Sequence, residues 1–167
     1  ARDFNPQQLT KFSQWVDLDG EGLPGVLTDR GGALTFKRNL GPSDEGDAQL
    51  AEARALPSAP NLSLQGRGSA QLMDVSGSGT MSVVSLDPKT SGYFEREPDG
   101  GWAPLKRFTS NPNVDWQDPN LRMVDLNGDG FDDILVTRGD HLLWWPSLGR
   151  DGYAAARRVA LPRKQED

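Results

Sequence analysis

A chain of 167 residues with a formal net charge of −6 has room for one domain, and its acidic balance excludes the counterion-driven binding that brings basic proteins to nucleic acids or anionic membranes. The absence of cysteine excludes a disulfide framework or a thiolate metal site, and no apolar run approaches the roughly 20 residues that span a bilayer. Nineteen glycines and twelve prolines, spread along the chain, predict many tight turns.

The opening residues, ARDFNPQQL, do not read as a signal peptide, and the start at Ala1 suggests a processed or excised piece. A motif follows in residues 12–25, FSQWVDLDGEGLPG. Residues 14–18 read as a strand entering it, and 26–28 and 33–37 as strands leaving it. Residues 48–56, AQLAEARAL, are good helix formers and read equally as a short helix or as a loop with a fourth strand. The motif returns in 69–82, SAQLMDVSGSGTMS, with predicted strands at 71–75, 81–86, 92–96 and 102–108. It returns again in 120–133, NLRMVDLNGDGFDD, with strands at 121–124, 134–137, 142–145 and 153–159.

Aligned on Asp17, Asp74 and Asp125, the motifs are separated by 57 and 51 residues; each has apolar residues on both sides of the Asp and then x-Gly-x-Gly. Such a period marks repeat architectures. The repeats divide the chain into 1–59, 60–116 and 117–167. About four short strands per repeat predict an all-β fold of β-propeller blades. Rings usually close with four to eight blades. Three repeats therefore predict a partial propeller, or a ring completed by further copies of the chain.

The third motif crowds four carboxylates and an amide into nine residues, DLNGDGFDD. Calcium takes six to eight oxygens at about 2.3–2.6 Å, and a loop offering oxygen at alternate positions can wrap it. Those positions are Asp125, Asn127, Asp129, Phe131 through its carbonyl, and Asp133. An EF-hand needs a Glu at the twelfth position and a helix afterwards; here that position is Val136, inside the strand-like ILVT. The expectation is a calcium ion pinning two strands. In the first motif Asp17, Asp19 and Glu21 offer a weak site, but the ninth position is Gly25. In the second, Asp74 is followed by Ser76, Ser78 and Ser82, whose hydroxyls can satisfy the turn without an ion.

Asp-x-Asn-x-Asp-Gly-x-x-Asp between strands resembles the calcium loop of FG-GAP/VCBS repeats, found in integrin-type β-propellers. The stretches 14–41, 92–137 and 144–153 resemble the N-terminal propeller region of bacterial Tc-toxin B components and virulence-plasmid B-type proteins. This resemblance covers most of the chain. It implies a β-propeller that docks a pore-forming A component and closes a shell around a toxic cargo, without being the poison itself. It also implies a secreted or extracellular bacterial setting and a protein partner.

Other features carry less. Arg138-Gly139-Asp140 is an RGD tripeptide that reads as a turn between strands. Trp102, Trp144 and Trp145 could stack on sugar rings, as in a lectin-like propeller; strand alternation puts Trp144 and Trp145 on opposite faces. His141, the sole histidine, has no nucleophile motif beside it, and no GxSxG, P-loop, HExxH or CxxC is present. The sequence reads as a non-enzymatic interaction module, with a carbohydrate-binding propeller as the alternative.

Overall fold

In the computed structural model, which describes residues 13–30, 33–57 and 70–162, each acidic motif joins the first two strands of a four-stranded antiparallel sheet. The first sheet runs β1 (Ser13–Val16), β2 (Gly25–Arg30), β3 (Ala33–Lys37) and β6 (Arg54–Ala55). A small hairpin, β4 (Asn39–Pro42) with β5 (Ala48–Leu50), is inserted before β6. The second sheet is β7 (Ala70–Met73), β8 (Ser82–Ser85), β9 (Gly92–Phe94) and β10 (Lys106–Arg107). The third is β11 (Leu121–Val124), β12 (Asp133–Arg138), β13 (His141–Trp145) and β14 (Arg157–Ala160). Within each sheet, strands neighbour one another in chain order, which is the meander of a propeller blade. The fold is all-β, and the described sheets form an arc of three blade-like units without a closed ring.

Residues 48–56 form the strands β5 and β6 and no helix. Gly46, at φ 88°, reverses the chain, and the Ser43 hydroxyl accepts the amides of Glu45 and Asp47. That turn aligns 48–50 with β4, and it overrides a helix preference that no apolar stripe supports. The outer strands are also shorter than predicted. Pro98 and Pro104 flank a turn that leaves Arg96 and Trp102 joined by a single bridge, and β10 keeps two residues. Tyr153 leaves the predicted strand 153–159: its amide donates to the Ser110 carbonyl, its carbonyl accepts the Ser110 hydroxyl, and it stands opposite Ser147 in an isolated antiparallel bridge.

Two apolar cores lie between successive sheets. Leu18, Leu27, Leu34, Phe36 and Leu56 of the first sheet pack with Leu72 and Met81 of the second. Met73, Val75, Val84, Leu86, Tyr93 and Phe108 of the second pack with Ile134, Val136, Trp145 and Tyr153 of the third. The middle position of the second sheet explains β8, whose four residues are all buried. A strand covered on both faces loses the apolar–polar alternation of a half-exposed one.

Candidate metal centre

The segment of residues 125–132, here loop 3, hangs on one carboxylate. Asp125 accepts the amides of Gly128 at 2.8 Å, Asp129 at 3.1 Å and Gly130 at 2.9 Å. Gly128 and Gly130 sit at φ 75° and 91°, a left-handed curl that favours glycine and turns the amides inward. The sister loops repeat the device. Asp17 of loop 1 (17–24) accepts Glu21 and Gly22 at 2.9 and 2.7 Å. Asp74 of loop 2 (74–81) accepts Ser76, Gly77 and Gly79 at 3.1, 2.9 and 2.7 Å. Backbone amides therefore stabilise the leading carboxylate of every loop.

The remaining charge is handled differently in each. In loop 1, Glu21 takes two bonds from Arg38 at 2.9 and 2.8 Å, and Asp19 pairs with Arg96 at 3.1 Å and Arg54 at 3.6 Å. Asp17, Asp19 and Glu21 thus face three different sets of partners, and the structure does not gather them as a site. Loop 2 replaces acid by hydroxyl, with Ser76 and Ser78 bonded at 2.7 Å. In loop 3, among the described residues, no lysine or arginine lies within ion-pair reach of Asp125, Asp129, Asp132 or Asp133. Desolvation, followed by the charges of Asp125 and Asp133, holds the Asp132 carboxyl above its usual range.

The predicted ligands fall into two groups. Asn127 and Asp129 sit on the exposed rim, where their side-chain oxygens accept the amides of Asp129 at 3.3 Å and Phe131 at 3.0 Å. Asp133 is fully buried, and its two oxygens accept Leu126 at 3.2 Å and Ser147 at 2.7 Å. It ties loop 3 to the segment after β13, a structural role that the alternate-oxygen pattern did not reveal. The Phe131 ring covers two glycines, lying 3.4 Å from where a Cβ on Gly77 would stand and 3.5 Å from one on Gly149. Among the described residues, no three Asp, Glu, His or Cys side chains gather closely enough to hold an ion unaided. The donor set remains one of oxygen alone, which suits a hard cation. The rim oxygens spend themselves on local turn bonds that an ion could replace.

The loops also touch. A Cβ on Gly20 would meet the Gly79 backbone at 3.0 Å, and the Met81 amide donates to Leu18 at 3.3 Å. Phe131 bridges loops 2 and 3 as described, so the acidic loops form a row along one end of the arc.

The other sequence features are accounted for by packing. Trp145 is buried in the second core, and Trp144 lies half-buried under the Arg157 guanidinium, 5.3 Å from the ring centre. Trp102 similarly carries Arg96 at 5.4 Å. The RGD turn joins β12 to β13, with Arg138 held by Asp118 at 2.6 Å and Asp140 bonded to His141 at 2.9 Å. The His141 bond, first, holds the Asp140 carboxyl below its usual range. Sequence reasoning missed Arg38, Arg54 and Arg96, because their distance from loop 1 along the chain gave no sign of their convergence.

Neither known family models nor curated proteins match the chain. Among solved structures, it is similar to a chain of the Photorhabdus luminescens Tc holotoxin pore, with 28% identity, a TM-score of 0.74, and coverage of 99% of this chain and 8% of that one. This chain thus spans less than a tenth of that neighbour. It is also similar to an Agrocybe aegerita lectin described as recognising non-reducing terminal N-acetylglucosamine, with 16% identity, a TM-score of 0.57, and coverage of 86% of this chain and 36% of that one. The second likeness concerns the fold alone. The first, with the quoted residue stretches, makes the chain resemble a Tc toxin component.

Proposed function

We propose that this chain is a propeller-type module that acts by protein–protein contact in an extracellular bacterial toxin complex of the Tc type, without turnover of its own. One observation carries the reading: the likeness to the Tc holotoxin chain extends along nearly the whole of this chain. The chain corresponds to a small part of that neighbour, so the role assigned is docking, and the pore and any cargo belong to other parts of such an assembly. Biolayer interferometry of the folded chain against the purified pore-forming component of the Photorhabdus luminescens complex tests this. Saturable binding is expected. No response from a chain that melts cooperatively contradicts it.

Calcium at loop 3 is the second part of the proposal. Its support is the contrast among the sister loops: loop 1 meets its acid with three arginines, loop 2 has exchanged acid for serine, and loop 3 keeps its acid without a basic partner among the described residues. Asp125, Asn127 and Asp129 would supply side-chain oxygens, and the ion would offset their mutual repulsion. A Kd of about 10⁻⁵ to 10⁻³ M is expected for such an exposed oxygen site. At a hundredfold excess over Kd the ion stabilises by about 2.7 kcal/mol. Asp129→Ala and chelation should therefore lower the melting temperature by similar amounts, without adding to each other.

The carbohydrate reading has less support, since Trp145 is in the core and Trp144 is covered by Arg157.

A further inference from the structure

Asn127-Gly128, in loop 3, is the sole Asn-Gly pair of the sequence. Both residues are exposed, and a Cβ on Gly128 would meet nothing within 4 Å. The sister loops hold Asp19-Gly20 and Ser76-Gly77 at the matching positions, so only the third repeat puts a carboxamide before its first glycine. Such a pair is chemically labile. Attack of the glycine nitrogen on the preceding side-chain carbon closes a five-membered ring, and glycine carries no side chain to obstruct it.

Loop 3 surrounds the pair with the two groups that ring closure needs. The Gly128 amide donates to the Asp125 carboxylate at 2.8 Å, within reach for proton transfer. The Asn127 Oδ1 accepts the Asp129 amide at 3.3 Å, so an N–H dipole already points at the oxygen on which charge develops. Asp125 is itself held in place by the amides of Asp129 at 3.1 Å and Gly130 at 2.9 Å. Base, nucleophile and oxyanion donor are thus set around the carboxamide within residues 125–129, where fixed orientation replaces chance encounter.

We propose that folded loop 3 promotes the deamidation of its own Asn127, once per chain. The Gly128 nitrogen gives its proton to Asp125 and bonds to the Asn127 side-chain carbon. The tetrahedral centre expels its amino group, which takes the proton back from Asp125 and leaves as ammonia. The product is a succinimide. Water opens it: cleavage between nitrogen and Cγ yields aspartate, and cleavage between nitrogen and the backbone carbonyl carbon yields isoaspartate. The sum is asparagine and water giving either acid and ammonia, with no change of oxidation state. The aspartate form repeats the Asp-x-Asp of loop 1, without the arginines that meet Asp19 there. This inference goes beyond the docking and calcium readings and depends on neither.

The test follows the chelator-treated full chain at neutral pH and constant temperature, folded in buffer or unfolded in urea. Peptide mass spectrometry reads the gain of about 1 Da at position 127, and isoaspartyl methyltransferase labelling reads the isoaspartate fraction. The folded chain should deamidate about tenfold faster than the unfolded one, the modest gain expected of one weak positioned base and one donor. Asp125→Asn keeps an acceptor oxygen but cannot take the proton. If it melts cooperatively, its folded rate should fall to that of the unfolded chain. A folded parent that reacts no faster than the unfolded chain overturns the proposal, whatever the variant does. A cooperatively melting Asp125→Asn that reacts as fast as the folded parent also overturns it.

Discussion

At the scale of single residues, the acidic loops separate two duties that their sequences superimpose. Asp74 and Asp133 act as acceptors for backbone amides, whereas Asp129 sits on a rim where its charge has no basic partner among the described residues. Removing an acceptor from a buried group leaves its donors unpaired, at about 1–3 kcal/mol per group. Asp133→Ala should therefore cost about 2–4 kcal/mol in urea denaturation, and the loss should be the same with calcium or with chelator. Asp132→Asn has the opposite sign. Its folded carboxyl is less acidic than normal, so its contribution favours folding at low pH and is lost as pH rises through the raised value. At neutral pH the metal-free variant should melt slightly higher than the parent, by an amount within about 1 kcal/mol given its partial exposure. Scanning calorimetry without added metal reads this directly. The leading Asp of each loop was legible in the sequence, because its spacing from two glycines recurs three times. The burial of Asp133 was not, since its partner at Ser147 lies on another loop.

At the scale of elements, the first and second sheets approach by glycine and the second and third by glycine and aromatic together. Gly152 is the tightest example, because a Cβ there would lie 2.1 Å from the Ser110 oxygen and φ is 104°. Gly128 has nothing within 4 Å of such a Cβ. Gly152→Ala should thus lose upwards of about 3 kcal/mol and Gly128→Ala about 1 kcal/mol, the cost of the left-handed backbone alone. Chemical denaturation of the pair separates crowding from conformation. The second and third sheets are also linked by Glu95, which bonds Arg150 at 2.8 Å and Lys106 at 3.2 Å. The Arg150 bond is the main cause that holds its carboxyl below the usual carboxylate range. Its contribution is present above the unfolded value and lost as pH falls, so Glu95→Gln should flatten the acid side of the stability profile below about pH 5, by less than about 1 kcal/mol. Strand order was readable because residue types repeat at fixed spacing. Of the two readings the sequence left open for 48–56, the loop with a fourth strand is the one formed, as β6, because the helix formers there yield to a turn set by Ser43 and Gly46.

At the scale of the whole molecule, three sheets stack through two cores and carry three forms of one loop. The all-β class and its blade-like sheets follow from period and turn chemistry in the sequence. Which face of each sheet meets a neighbour became visible only with the register. The loops show a second regularity: charge in this position is answered by arginine, removed by substitution to serine, or left without a basic partner among the described residues. That account assigns a single ion to each chain, at the third loop. Calorimetric titration of the chelator-treated chain with calcium is the most direct test, with Asp129→Ala and Asp19→Ala as companions. The account predicts one ion per chain for the parent and for Asp19→Ala, and none for Asp129→Ala. No binding at millimolar calcium, or one ion still bound by Asp129→Ala, would contradict it.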